Sequence, residues 1–189
     1  MLAHIDTLNA DIAAVEDRID ELVTPFARAV AALDDIPGVG PTAARAIIAE
    51  IGVDMKRFPT AGHLASWAKF APGVKESAGK NKGNGATGHG NRYLARTLGE
   101  AAVGAARTNT FLGERYRRIA RRRGKKKAIV AVGRSILVIV WQLLSTEQAT
   151  FIDLGSDYYD NRGGTQRAVR NHIRGLQTLG YQVTLQPAA

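Results

Sequence analysis

A serine set among lysines is the feature of this sequence that most directly suggests chemistry. Ser77 lies in a glycine-rich stretch, 72–92, and Lys75, Lys80 and Lys82 lie close to it in sequence. Lysine ammonium groups can stabilise the charge of a phosphoryl group in transfer, and an activated serine hydroxyl can attack phosphorus. The stretch therefore predicts a phosphate-directed site with Ser77 as nucleophile. A basic flexible linker is the alternative.

The other four serines have less suitable surroundings. Ser135 and Ser145 fall in the most apolar segment of the chain, and Ser66 falls in a helix beside a tryptophan. Ser156 belongs to an acidic segment, which has the wrong charge for phosphate. Ser77 is therefore the candidate nucleophile.

Ligands for a metal ion are sparse in this chain. There is no cysteine, and the four histidines are dispersed. Residues 69–134 contain only three acids, so no carboxylate cluster resembles a two-metal site. We therefore predict no metal site in this chain.

Charge is distributed unevenly along the sequence. Residues 1–34 hold seven acids and two bases, whereas residues 69–134 hold seventeen bases and three acids. A basic block of this kind is the electrostatic footprint of a polyanion, most often nucleic acid. The lack of cysteine and the acidic amphipathic N-terminus, which is not a signal peptide, predict a cytoplasmic, nucleoid-associated protein.

The N-terminal segment, 2–33, has the pattern of an amphipathic helix with heptads. Its apolar residues alternate in spacings of three and four, the pattern of a coiled-coil seam: Ile5, Leu8, Ile12, Val15, Ile19, Leu22 and Phe26. Pro25 is expected to interrupt the helix because proline lacks the amide donor. The pattern predicts a coil that forms a homo-oligomer or links domains. A helix packed on its own domain is the alternative.

A glycine turn follows this helix. Gly38 and Gly40 lie in a Pro-Gly-Val-Gly-Pro run that precedes a predicted helix from Thr42 to Ile51. Unpaired amides and the helix dipole make such a helix N-terminus a candidate phosphate site. The pattern resembles the hairpin of helix-hairpin-helix DNA-binding modules. A plain helix–helix turn is the competing interpretation.

The middle of the chain predicts further helices. Thr60 is a candidate N-cap of a short helix in which Trp67 and Phe70 are expected to be core residues. Asn91 begins a helix whose Arg92 and Arg96 lie one turn apart and face the end of the Ser77 stretch.

A second basic feature lies further along. A helix is expected near 111–122, followed by a basic turn, 121–127, in which Arg122, Lys125 and Lys126 are expected to contact phosphates. The apolar segment 128–144 predicts a buried core helix, although its residues would also suit a buried strand. It is interrupted by charge and short for a membrane span, so no membrane association is expected.

These elements predict a mainly α fold with a long irregular Gly/Lys loop. We expect a coiled-coil or linker helix at 1–34, a compact helical DNA-binding domain at 35–150 and a C-terminal extension at 151–189. The extension has an acidic aromatic patch, a helix at about 165–179 and a candidate strand at 181–185.

Several motifs in order resemble those of one known family. They occupy residues 36–41, 58–67, 71–73 with 76–80, 90–94 and 126–131. Together they resemble the C-terminal transposase domain of the bridge-RNA-guided insertion-sequence transposases, the "IS-one-ten" family, over roughly residues 33–144.

The resemblance implies a mechanism and partners. In that family the serine at the position of Ser77 attacks DNA phosphate and forms a covalent protein–DNA intermediate. Mg²⁺ is expected on an N-terminal RuvC-like domain that has no counterpart in this sequence, so we expect no cofactor in this chain. The family's composite site joins the two domains across subunits, and a structured guide RNA selects the DNA.

Two functions follow for this chain. The first is DNA transposition, with serine-mediated strand cleavage and transfer at a composite site. The second is a catalytically silent DNA- or RNA-binding and oligomerisation module. A helical domain with no nucleic-acid role would leave the basic block unexplained.

Overall fold

The computed structural model describes residues 2–72, 76–77, 80–81, 87–159 and 165–186. Its α-helices are α1 Leu2–Val23, α2 Ala27–Asp34, α3 Pro41–Ile51, α4 Ala61–Trp67, α5 Arg92–Ala105, α6 Phe111–Arg123, α7 Lys125–Ser145 and α8 Thr165–Thr178. Short 3-10 turns cover Thr24–Phe26 and Met55–Arg57. Two two-residue strands, β1 Glu76–Ser77 and β2 Lys80–Asn81, pair antiparallel. The prediction of a mainly α fold is confirmed.

Helix α7 is the centre of the core. It packs against α2, α4, α5 and α6. Val132, Ile136 and Val140 recur every four residues and are fully buried, as expected for one face of a helix. Trp141 is fixed by a hydrogen bond of 2.9 Å from its indole Nε1 to the carbonyl oxygen of Phe58. The apolar segment is therefore a helix, and the alternative of a buried strand is wrong.

The length and apolar composition of α7 would also suit a membrane span. The core helix of a soluble protein has the same composition, and seven residues of α7 are buried against neighbouring helices. The absence of membrane association stays a prediction.

The N-terminal helix projects from this core. Helix α1 has no buried residue. The 3-10 turn with Pro25 near its start separates α1 from α2, which confirms the predicted interruption. An ion pair of 2.7 Å between Asp20 of α1 and Arg45 of α3 crosses from this helix to the helical body.

Polar residues cap the helices that follow. The Thr60 hydroxyl accepts a hydrogen bond from the His63 amide at the start of α4. The Asn91 side chain accepts from the amides of Tyr93 and Leu94 at the start of α5. These side chains satisfy amides that the first turn of a helix leaves unpaired. The Thr60 cap and the start of a helix at Asn91 were expected from the sequence.

Three expectations about local structure are wrong. Trp67 is 45% exposed and not a core residue, whereas Phe70 is buried as expected. The basic stretch 121–127 is not a turn, because only Gly124 separates α6 from α7. Residues 181–185 are described but form no strand.

Candidate nucleic-acid interface

The segment that contains Ser77 is held at its base. Its two flanks meet where Gly90 lies against the end of α4. A Cβ on Gly90 would lie 2.7 Å from the carbonyl oxygen of Ala68, and one on Gly88 would lie 3.3 Å from the Lys69 side chain. Lys69 has a left-handed backbone with φ 60°, which turns the chain out of α4. The close approach therefore depends on glycine on the returning side.

Both flanks are also fixed to the helical body. On the outgoing side, Phe70 is buried over Gly133 of α7, where a Cβ would come within 2.5 Å of its ring. On the returning side, the Asn91 amide donates a hydrogen bond to the Glu50 carboxylate of α3. Sequence reasoning placed the start of a helix at Asn91 but missed its contact with Glu50, because the two residues lie far apart in the chain.

Within the segment, the strands β1 and β2 bring two predicted site residues into register. The Cα atoms of Ser77 and Lys80 are cross-strand partners. The other two predicted lysines, Lys75 and Lys82, lie outside the described residues. These strands have no recognisable pattern in the sequence, because two residues are too few to show the alternation of a β-strand.

The glycine turn between α2 and α3 has two glycines with different roles. Gly38 has a positive φ of 87°, and its Cα packs on α5, where a Cβ would lie 2.6 Å from the Ala105 amide nitrogen. Gly40 is the N-cap of α3, with no side-chain cap and nothing within 4 Å of an added Cβ. Gly38 therefore sets the packing of the turn, and Gly40 marks the open helix end that an anion could reach.

The two predicted arginines of α5 are exposed but not free. Arg92 donates a hydrogen bond of 2.7 Å to the Tyr93 hydroxyl, and its guanidinium lies 4.8 Å from the centre of that ring. Arg96 pairs with Glu100 at 2.9 Å, and the hydrogen bond and charge of this carboxylate raise the pKa of Arg96. Arg96 therefore stays charged, but one carboxylate already competes for it.

A basic ridge, which we define as residues 121–127, lies where α6 meets α7. All seven residues are exposed. Gly124, with φ 84°, is their only glycine. Within the part of the chain that the structure describes, Arg121 pairs with Glu114 at 3.3 Å, but Arg122, Lys125 and Lys126 form no ion pair. The ridge is a dense, exposed cationic surface.

The ridge lies near α5. Ile129, one turn beyond Lys125, contacts α5, since a Cβ on Gly99 would lie 3.9 Å from its side chain. A shallow groove is lined by Arg96, Gly99 and Arg107 of α5 together with Ile129 of α7. The structure therefore brings Arg96 and the first turns of α7 to the same side of the body.

Two arginines nearer the start of α6 contact the C-terminal extension. Arg115 donates a hydrogen bond of 2.9 Å to the Tyr159 hydroxyl, and the Arg118 guanidinium lies 4.8 Å from the centre of the Tyr159 ring. Phe111 stacks on the same ring at 5.4 Å, and Tyr158 meets it edge-on at the same distance. Asp153 accepts a hydrogen bond from the Phe111 amide. The acidic aromatic patch was visible in the sequence, but its packing on α6 was not.

No metal site is apparent in what the structure describes. Among those residues, no three of His, Asp or Glu lie close enough together to hold an ion. The donors that Mg²⁺ prefers, clustered carboxylates, are therefore not assembled by the described part of this chain.

Comparisons with known proteins agree with the motifs. Residues 30–117 match the family model described as Transposase IS116/IS110/IS902 family. The chain is 33% identical over 114 residues to "Insertion element IS110 uncharacterized 43.6 kDa protein" of Streptomyces coelicolor, which covers 59% of this chain and 28% of that protein. It is 29% identical over 148 residues to "Probable family 20 transposase" of Pseudomonas aeruginosa, which covers 76% of this chain and 43% of that protein.

The part of the chain from α2 into α6 is therefore similar to a domain of this transposase family. The matches span less than half the length of the two curated relatives. The resemblance is confirmed at the level of the family, whereas the Ser77 nucleophile, the guide RNA and the composite site stay predictions.

Proposed function

We propose that this chain is the DNA-binding and strand-cleaving portion of an insertion-sequence transposase that acts in the cytoplasm. The family match and the two relatives support the assignment. The excess positive charge in residues 69–134 supports a polyanion partner. The predicted phosphate contacts come from Gly38 and Gly40 in the turn, Arg92 and Arg96 on α5, and the ridge.

The basic ridge is the observation that carries the proposal. Lys125, Lys126 and Lys127 form the first turn of α7, where the helix dipole disfavours cations. They also adjoin three arginines at the end of α6. Repulsion within this surface is unfavourable until an anion neutralises it, and a DNA backbone supplies closely spaced phosphates.

Ser77 is the proposed nucleophile. Its hydroxyl oxygen would attack a DNA phosphorus, forming a serine–phosphate ester as the bond from phosphorus to one deoxyribose oxygen breaks. The hydroxyl proton passes to a base, and the departing oxygen gains a proton. The reverse attack by a DNA hydroxyl would release Ser77 and complete strand transfer.

The remaining parts of the composite site would come from elsewhere. The described residues assemble no carboxylate cluster, and the proposal assigns the base and the Mg²⁺ to a RuvC-like domain. A structured guide RNA is the second proposed nucleic-acid partner, and it would share the same cationic surfaces. Self-association through α1 would bring several copies together.

DNA binding is tested by a charge change in the ridge. We expect Lys125→Glu/Lys126→Glu to weaken binding to duplex DNA at least tenfold and to reduce the slope of log affinity against log salt by about 2, since about one phosphate contact is lost per lysine. The control is Lys56→Glu/Arg57→Glu, an equal charge change at exposed residues away from the ridge. Equal losses in the two variants would refute a specific role for the ridge.

Cleavage is tested by trapping the covalent intermediate. Labelled donor DNA is incubated with the chain, Mg²⁺, guide RNA and a separately supplied RuvC-like domain from a relative, and then denatured. We expect a protein–DNA adduct that Ser77→Ala abolishes while DNA binding is retained. An adduct that persists in Ser77→Ala would exclude Ser77. Binding without any adduct would favour the second candidate function, a catalytically silent binding module.

A further inference from the structure

Helix α1 presents an apolar surface that the rest of the described chain leaves uncovered. We define its seam as Ile5, Leu8, Ile12, Val15, Ile19 and Leu22. These six side chains are between 39% and 59% exposed. Helix α1 is 22 residues long and buries none of them. An apolar row with coiled-coil spacing is stable in water when another helix covers it.

The spacing of the seam residues is the same from the N-terminal end of α1 as from its C-terminal end. The intervals between its residues are three, four, three, four and three. A second α1 can therefore cover the seam in a parallel or in an antiparallel orientation. In the antiparallel pair, Ile5 meets Leu22 of the second copy and Ile12 meets Val15. The apolar residues accept both orientations, so the flanking charges must decide between them.

The charges beside the seam favour the antiparallel orientation. With Ile5, Ile12 and Ile19 at heptad positions a, the flanking positions g and e include Asp11, Arg18 and Glu16. A parallel pair would set Asp11 beside Glu16 of the second copy twice, which is repulsive. An antiparallel pair sets Asp11 beside Arg18 of the second copy twice, which is attractive.

Arg18 can exchange its present ion pair for one with a second copy of α1. Arg18 pairs with Glu21 on its own helix at 2.6 Å, and both side chains are about two-thirds exposed. Exposed ion pairs of this kind contribute little and exchange readily. The pairing of Asp20 with Arg45 lies on another face of α1, so it can persist when the seam is covered.

We propose that α1 pairs with the α1 of a second copy in the antiparallel orientation, with Asp11 and Arg18 as its selecting charges. The proposal rests on the self-association included in the proposed function and adds its geometry. Because α1 rises 1.5 Å per residue over 22 residues, the two helical bodies would be attached at opposite ends of a coil about 33 Å long. A parallel pair would instead attach them side by side.

A charge reversal at Asp11 gives opposite results for the two orientations. In the antiparallel pair, Asp11→Arg sets arginine beside Arg18 and is expected to weaken dimerisation about tenfold. In the parallel pair, it would set arginine beside Glu16 and strengthen dimerisation. The double variant Asp11→Arg/Arg18→Asp is expected to restore the wild-type dissociation constant. Sedimentation equilibrium of the full chain without DNA measures these constants.

The matched control is Asp17→Arg, which makes the same charge change on the face of α1 opposite the seam. We expect its dissociation constant to stay within about threefold of wild type. Stronger dimerisation of Asp11→Arg, or equal weakening by Asp17→Arg, would overturn the antiparallel assignment.

Cysteine cross-linking is an independent test of the orientation of the two α1 helices, because the chain has no cysteine of its own. In the antiparallel pair, residues 5 of the two copies lie about 25 Å apart along the coil, from 17 residues at 1.5 Å each. We therefore expect Ile5→Cys alone to form no disulfide dimer under mild oxidation. An equimolar mixture of Ile5→Cys and Leu22→Cys is expected to cross-link efficiently.

The outcomes separate this inference from the function on which it rests. Cross-linking of Ile5→Cys to itself would overturn the orientation but not the association. A wild-type chain that stays monomeric at 100 µM would overturn the association as well. Neither result would alter the DNA binding by the ridge, which is measured with Lys125→Glu/Lys126→Glu.

Discussion

Replacement of Gly38 by alanine is the sharpest test of how the turn is held against α5. Two costs add in Gly38→Ala. A positive φ of 87° costs a residue with a Cβ roughly 1–2 kcal/mol. The Cβ would also lie 2.6 Å from the Ala105 amide nitrogen and closer still to the Ala101 carbonyl oxygen. Both are backbone atoms, so the whole turn must move away from α5.

We expect Gly38→Ala to lower the free energy of unfolding by about 2–4 kcal/mol, of which the strain of the backbone is about half. For a chain of this length each kcal/mol corresponds to a fall of roughly 2–4 °C in Tm, so Tm should fall by about 5–15 °C. Urea unfolding followed by far-ultraviolet circular dichroism measures the first quantity, and thermal melting measures the second.

The neighbouring glycine is a matched control. Gly40 has φ −88° and open space around an added Cβ, so Gly40→Ala should change the unfolding free energy by less than about 1 kcal/mol, mostly through the loss of a favourable N-cap residue. If Gly38→Ala were as stable as Gly40→Ala, the packing of the turn on α5 would be refuted.

Two further predictions concern contacts that join distant parts of the chain. Asn91→Ala should cost about 1–2 kcal/mol in urea unfolding, because it removes the cap of α5 and the hydrogen bond to α3; an unchanged midpoint would contradict both roles. Tyr159→Phe should lower the free energy of unfolding by about 1–2 kcal/mol, because Arg115 loses the hydroxyl that accepts its hydrogen bond. The Nε atom of Arg115 is already buried with no hydrogen-bond partner among the described residues. Tyr159→Ala should cost more, since the stacking on Phe111 is lost as well, and equal losses in the two variants would show that the ring contributes nothing.

Helix boundaries could be predicted where a single residue dictates the local backbone. Thr60 and Asn91 cap helices because their side chains accept amide hydrogen bonds. Pro25 interrupts the N-terminal helix because it has no amide to donate, and Gly52 ends α3 with φ 72°. These features depend on a few neighbouring residues, so the sequence alone contains them.

Other features depend on partners that are distant in sequence. Trp67 packs its ring 5.4 Å from that of Phe58 but remains on the exposed side of α4, which apolar character alone does not reveal. The ridge is helical on both sides of Gly124 because arginine and lysine are good helix formers, whereas their charge suggested a turn.

In the candidate site, too, some residues could be predicted from the sequence and others could not. The exposed basic residues of the ridge could be named from the sequence, since charge density is visible there. That Arg115 and Arg118 face the C-terminal extension could not, because the contact with Tyr159 spans more than forty residues. The register of Ser77 with Lys80 likewise follows from a strand pairing too short to leave a pattern.

The closed base of the Ser77 segment also determines how this protein can evolve. Gly90 packs against Ala68, Phe70 packs on α7, and Asn91 is hydrogen-bonded to α3. The chain therefore leaves the helical body and returns to it at the same place. Once two ends of a chain segment are held together, the free-energy cost of closing it grows slowly with its length, by about 0.6 kcal/mol for each doubling. Insertions and deletions between these anchors can therefore accumulate with little effect on folding. The part of the chain proposed to carry the chemistry is thus free to vary in length, while the helical body that supports it is not.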